Sequence, residues 1–204
     1  MSRFGNYIKY HAKEFFAILF GVLATLCFFA SMVISMLSGV VIDLSDILHY
    51  VILGAIFLVI VIGNINRSMM AISGILAFVF METFALLYPS ITYASYIGFS
   101  FANGETGLGL AYIGLFVAIG VMTASGILTY IQALRFLRGY RSNYRALRAW
   151  CLIFTIFLLI SNILYPVVFT VLIGRPLLIA TFLEPIAEGL MGVCVFFTVL
   201  RLKN

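Results

Sequence analysis

Residues 15–41 read FFAILFGVLATLCFFASMVISMLSGVV, without one charged side chain. A helix needs about 20 mostly apolar residues to cross the hydrocarbon of a bilayer, where the backbone must satisfy its own hydrogen bonds. This stretch exceeds that length. It is also far longer than the roughly 7–15-residue apolar core of a signal peptide, so it reads as a retained transmembrane helix.

Working outward, the same character returns at about 47–63, 68–88, 108–134, 149–173 and 177–200. The breaks between these stretches are made of turn-forming residues. Asp43, Ser45 and Asp46 interrupt the first run, and Gly63-Asn64-Ile65-Asn66-Arg67-Ser68 makes a tight turn, with Asn and Gly tolerating left-handed backbone. Pro89 ends the third stretch. Residues 89–107 then form the longest connection, which holds Tyr93, Tyr96, Phe99 and Phe101 but no Lys or Arg. Such a segment suits the headgroup zone, where amphipathic rings settle. Gly174-Arg175-Pro176 turns the chain into the last stretch. The expected fold is an all-α membrane protein: one domain over residues 1–204, a bundle of six transmembrane helices.

Composition agrees. Of 204 residues, 64% are hydrophobic and only 9% charged, whereas a soluble domain carries about 25% charged residues. The net charge of +5 is not a nucleic-acid footprint, because the basic residues sit between apolar stretches and form no surface able to track a duplex. Cys27, Cys151 and Cys194 lie inside apolar stretches with no paired spacing and read as small hydrophobes. His11 and His49 lie near span ends, outside any ligand spacing. No metal, haem or other cofactor is therefore expected.

Charge also orients the chain. With both termini inside, the inner segments hold Arg3, Lys9, Lys13, Arg67, Arg135, Arg138, Arg141, Arg145, Arg148, Arg201 and Lys203, leaving only Arg175 outside. Basic residues concentrate on the cytoplasmic side of membrane proteins, and an odd span count would break the pattern. Both ends are expected in the cytoplasm, in a plasma membrane.

Glu82, Glu184 and Glu188 fall within the apolar stretches. A charge in the bilayer centre costs about 2.5–3.5 kcal/mol on insertion scales, so such residues face the protein interior and mark function. Glu184 and Glu188 are one turn apart and share a helix face, and Ala180 and Gly192 extend the row. At about 1.5 Å per residue, Glu184 lies roughly 10 Å below the outer end of its span. Glu82 and Asn162 fall at a similar depth and Glu188 deeper. If the third, fifth and sixth spans are neighbours, these four groups make one polar cluster in the outer half, with Arg175 at its rim as a counter-charge. Pro185 and Pro166 each lack an amide hydrogen and free a carbonyl one turn earlier, at Thr181 and Asn162. Interrupted helices beside polar side chains are how carriers build sites from backbone oxygens. The cluster is expected to bind a solute or a cation, or else to be packing glue.

Arg135, Arg138, Arg141, Arg145 and Arg148 form a second feature. Steps of three or four residues would align them on one helix face, although Gly139 and Ser142-Asn143 make a break there equally compatible with the pattern. Each basic residue near an anionic leaflet contributes about 1 kcal/mol, so the segment is expected to meet anionic lipid, or to dock a cytoplasmic partner protein. Small-residue rows at Ala17, Gly21 and Thr25, then Ser31, Ser35 and Gly39, and at Gly114 with Ala118 and Gly120 with Ala124, are expected to be helix-packing seams, within the chain or between chains.

Catalytic readings find little support. Thr123-Ala124-Ser125-Gly126 resembles the nucleophile motif of rhomboid proteases, but a serine needs a base to activate it and no later span contains histidine. No span interior holds Asp, and neither a GxxxxGK[ST] loop nor HExxH is present, so no catalytic residue is expected. In size, span number, cytoplasmic ends and outward polar site, the chain resembles the substrate-binding subunits of energy-coupling-factor transporters; exporter permease subunits share the topology. That resemblance implies a small transporter or the membrane subunit of one. The alternative is a structural or assembly subunit of a membrane complex.

Overall fold

The computed structural model describes residues 3–38, 44–85, 87–164, 167, 170–172 and 180–202. Among them the chain forms seven helices and no strand. These are α1 (Arg3–Leu37), α2 (Leu44–Ile65), α3 (Met70–Ala85), α4 (Leu87–Ala102), α5 (Thr106–Leu137), α6 (Tyr144–Leu159) and α7 (Ala180–Arg201). A π turn (Ile160–Leu164) extends α6.

Six helical stretches are long and apolar enough to cross a membrane: His11–Leu37, Asp46–Ile65, Met70–Ala102, Thr106–Leu137, Tyr144–Ile163 and Phe182–Arg201. The chain is thus a multi-pass membrane protein. One expectation needs correction. The third span does not end at Pro89 and residues 89–107 are not a loop: α4 covers most of them, and the connection shrinks to 103–105. Pro89 stands in the first turn of α4, where a missing N–H is no loss because those amides have no intrahelical acceptor. The rings expected at a headgroup surface stack instead, Tyr93 and Tyr96 lying 6.1 and 5.4 Å from Tyr112 of α5.

The spans pack in chain order. α1 lies against α2, α2 against α3, α3 and α4 against α5, α5 against α6 and α6 against α7, and α7 closes the ring on α1 with the most extensive contact of all. A chain of rings links three of these helices: Phe28 to Phe57 at 5.1 Å and Phe57 to Phe78 at 5.9 Å, all three fully buried. Offset and edge-to-face pairs add about 0.5–1.5 kcal/mol each beyond burial.

Small residues set the tightest approaches. A Cβ on Gly21 would stand 2.9 Å from Val61 Cγ2 and 3.0 Å from Cys194 Sγ, so the row through Gly21 is a seam against α2 and α7. The row at Gly120 and Ala124 is no seam within the chain, since both are exposed and nothing lies within 4 Å of a Gly120 Cβ. The seam on α5 runs instead through Gly126, packed on Thr83 and Phe154. Ser125 is buried beside it, its hydroxyl donating to the Val121 and Met122 carbonyls of its own helix.

The two ends of the bundle differ. At one, Arg67 reaches Glu14 at 2.6 Å, Asn64 Nδ2 donates to Thr198 Oγ1 at 2.9 Å and Arg201 donates to the Asn64 carbonyl at 3.0 Å. Tyr144, at the start of α6, donates to the Leu200 carbonyl at this same end, which places the arginine-rich α5–α6 connection there too. The other end holds the starts of α2 and α7. At about 1.5 Å per residue α2 and α7 are each roughly 33 Å long, whereas α5 is roughly 48 Å. α5 and the 35-residue α1 are the longer elements.

Candidate binding site in the bundle

The four expected polar positions gather with residues that sequence reading passed over, three of them through direct hydrogen bonds. Glu184 and Glu188 stand one turn apart on α7, whose regular geometry aims both the same way. Glu184 meets α2: Tyr50 Oη donates to its Oε2 at 3.1 Å, and His49 Nε2 lies 3.2 Å from its Oε1. Glu188 meets the π turn, where Asn162 Nδ2 donates to its Oε2 at 2.5 Å. Glu82 on α3 completes the group, within electrostatic reach of Glu184 and Glu188. The third, fifth and sixth spans need not all touch for this to happen, because α3, α6 and α7 all contribute residues to one buried cluster.

The π turn explains how Asn162 arrives. Pro166 has no amide hydrogen to give the Asn162 carbonyl, so the regular i→i−4 ladder cannot close here. A wider turn takes up the extra residue, and such turns recur at functional sites. Ser161 and Asn162 are both buried in it. Pro185 lies inside α7, one residue past Glu184.

Exposure falls along the group. The side chain of His49 is 36% exposed and that of Glu184 27%. Glu188 is half-buried, while Asn162 and Glu82 retain only 7% and 4%. The polar groups therefore line a descent from the bundle's end into its interior. His49 Nε2 or Nδ1, with one oxygen each from Glu184 and Glu188, makes a set of potential ligand atoms all within 4.8 Å of one another. His49 lies outside any ligand spacing along the sequence, and the fold sets it beside Glu184 and Glu188. It is separated from Glu184 by 135 positions, so no local spacing could reveal the pair. Arg175, expected as a counter-charge, lies outside the described residues.

The five arginines of the second feature do not share one helix face. Arg135 closes the last turn of α5, Arg138 caps it, Gly139 takes φ 92°, Arg141 opens a short 3₁₀ turn, and Arg145 and Arg148 lie on α6. The break comes where a left-handed residue is needed, which glycine supplies without steric cost. Arg135, Arg138, Arg145 and Arg148 are exposed. Tyr144, Arg145, Arg148, Ala149 and Leu152 line a cavity of about 450 Å³.

Comparison with known protein families, with curated proteins and with solved structures finds no match to this chain. Fold and composition define its class, a multi-pass membrane protein.

Proposed function

We propose that the protein is a small membrane transporter, or the membrane subunit of one, and that it holds a solute or cation at Glu82, Asn162, Glu184 and Glu188, joined by His49 and Tyr50. The observation that carries this reading is the convergence of three carboxylates from two helices with donors from two others, on a path of falling exposure. Carboxylates inside a membrane protein are costly and mark substrate or ion pathways, and a donor set dominated by carboxylates favours a positively charged ligand. The arginine-rich end faces the cytoplasm of the plasma membrane in this reading, with both termini inside and the site toward the outside. Arg145, Arg148 and Tyr144 then hold an anionic lipid headgroup, through charge from the guanidinium groups and a hydroxyl at the interface.

The competing reading is a structural subunit. It is favoured by the bonds Tyr50–Glu184 and Asn162–Glu188, which partner both acids within the protein. The pair Glu184→Gln and Glu188→Gln separates the two. Under the transport reading the double variant folds and accumulates, but loses ligand-dependent thermal stabilisation and uptake. Loss of assembly with no ligand effect in the unmodified protein would establish the structural reading instead.

A further inference from the structure

We infer that His49, Glu184 and Glu188 form a site for a divalent transition-metal ion, an inference that rests on the transport reading and names its ligand. One imidazole nitrogen and two carboxylate oxygens, from α2 and α7, can meet around a common point. His49 Nε2 and Glu184 Oε1 stand 3.2 Å apart. Two ligands at about 2.0–2.1 Å from a tetrahedral ion are separated by about 3.4 Å, so only a few tenths of an ångström part this pair from a coordinating separation. The nitrogen decides the class of ion. Magnesium and calcium sites are built from oxygen, whereas imidazole with carboxylate suits zinc, iron, cobalt or manganese. Three protein ligands leave a coordination position for water.

Two further observations point the same way. Glu82 is 4% exposed and lies within electrostatic reach of both ligand carboxylates. His49 stands beside Glu184 and within electrostatic reach of Glu188. Neighbouring carboxylates repel, and a divalent ion supplies charge that balances them. Both ligand carboxylates are also held from behind by neutral donors, Tyr50 on Glu184 Oε2 and Asn162 on Glu188 Oε2. Outer hydrogen bonds of this kind orient metal ligands and tune their affinity.

The experiment uses the full chain in lipid nanodiscs, stripped with a chelator and titrated with Co²⁺ alone. Expected are saturation at one ion per chain, visible ligand-field absorption, displacement by Zn²⁺, and no displacement by a large excess of Ca²⁺ or Mg²⁺. His49→Gln should weaken Co²⁺ binding about tenfold or more. X-ray absorption of the Zn²⁺-loaded unmodified protein, which does not depend on any variant folding, should show one imidazole among oxygen ligands. No saturable Co²⁺ binding, an oxygen-only spectrum, or unchanged affinity in His49→Gln would each overturn the inference. Should metals fail while sodium or an organic cation stabilises the unmodified chain but not the Glu184→Gln, Glu188→Gln variant, the metal assignment falls and the transport reading stands. If no cation or solute does so, both fall.

Discussion

The bond between Asn162 and Glu188 joins side chains 26 positions apart and links two spans. Interhelical hydrogen bonds in membrane proteins contribute about 0.6 kcal/mol on average and up to about 1.7. A double-mutant cycle on Asn162→Leu and Glu188→Leu, read by denaturant unfolding in micelles, should give a coupling energy within that range; a value near zero would mean that the two do not act together. Acids were the legible part of the site. A carboxylate in an apolar run is conspicuous whatever its neighbours, and Glu82, Glu184 and Glu188 stood out for that reason. His49 and Tyr50 were not legible, because at the start of a span they look like ordinary interface residues, and only the docking of α2 beside α7 sets them against Glu184.

Helix packing shows the same division. Apolar length revealed the spans, yet which small residues form seams depends on how each helix is rotated, and hydropathy carries no signal for that where lipid and protein are equally apolar. Gly120 and Gly126 make the contrast measurable. A Cβ on Gly126 would meet Thr83 and Phe154 too closely, whereas one on Gly120 meets nothing. Gly126→Ala should destabilise the protein by about 1–3 kcal/mol, while Gly120→Ala should be neutral or stabilising by up to about 1 kcal/mol, both read from unfolding curves in the same detergent. Pro89 was misleading for a related reason. Proline stops a helix from within and starts one from its first turn, and the residues around it do not say which. The π turn at Ile160–Leu164 was hidden too, since Pro166 predicts an interrupted ladder without specifying how the backbone absorbs it.

For the molecule as a whole, the gathering of Arg67, Arg201 and the 135–148 segment at one end agrees with the charge asymmetry along the chain. In a background with Cys27, Cys151 and Cys194 replaced by Ala, Glu105→Cys should react with an impermeant maleimide in intact cells, and Ser142→Cys only after permeabilisation. The opposite pattern would invert the proposed orientation. Replacing Arg145 and Arg148 by Ala should abolish most of the extra thermal stability seen in phosphatidylglycerol over phosphatidylcholine nanodiscs, an effect of about 1 kcal/mol per residue. The unequal helix lengths have a consequence of their own. α5 is roughly 15 Å longer than α2 or α7, and the α4–α5 hairpin carries the exposed apolar rings Phe99 and Phe116. Exposed greasy surface of that kind favours thicker surroundings or a lean of the hairpin, at a fraction of a kcal/mol per ångström of misfit. Reconstituted into a series of phosphatidylcholines of rising acyl length, the protein should be most robust in the longer chains. Its preferred lipid would thus be written in the reach of one hairpin.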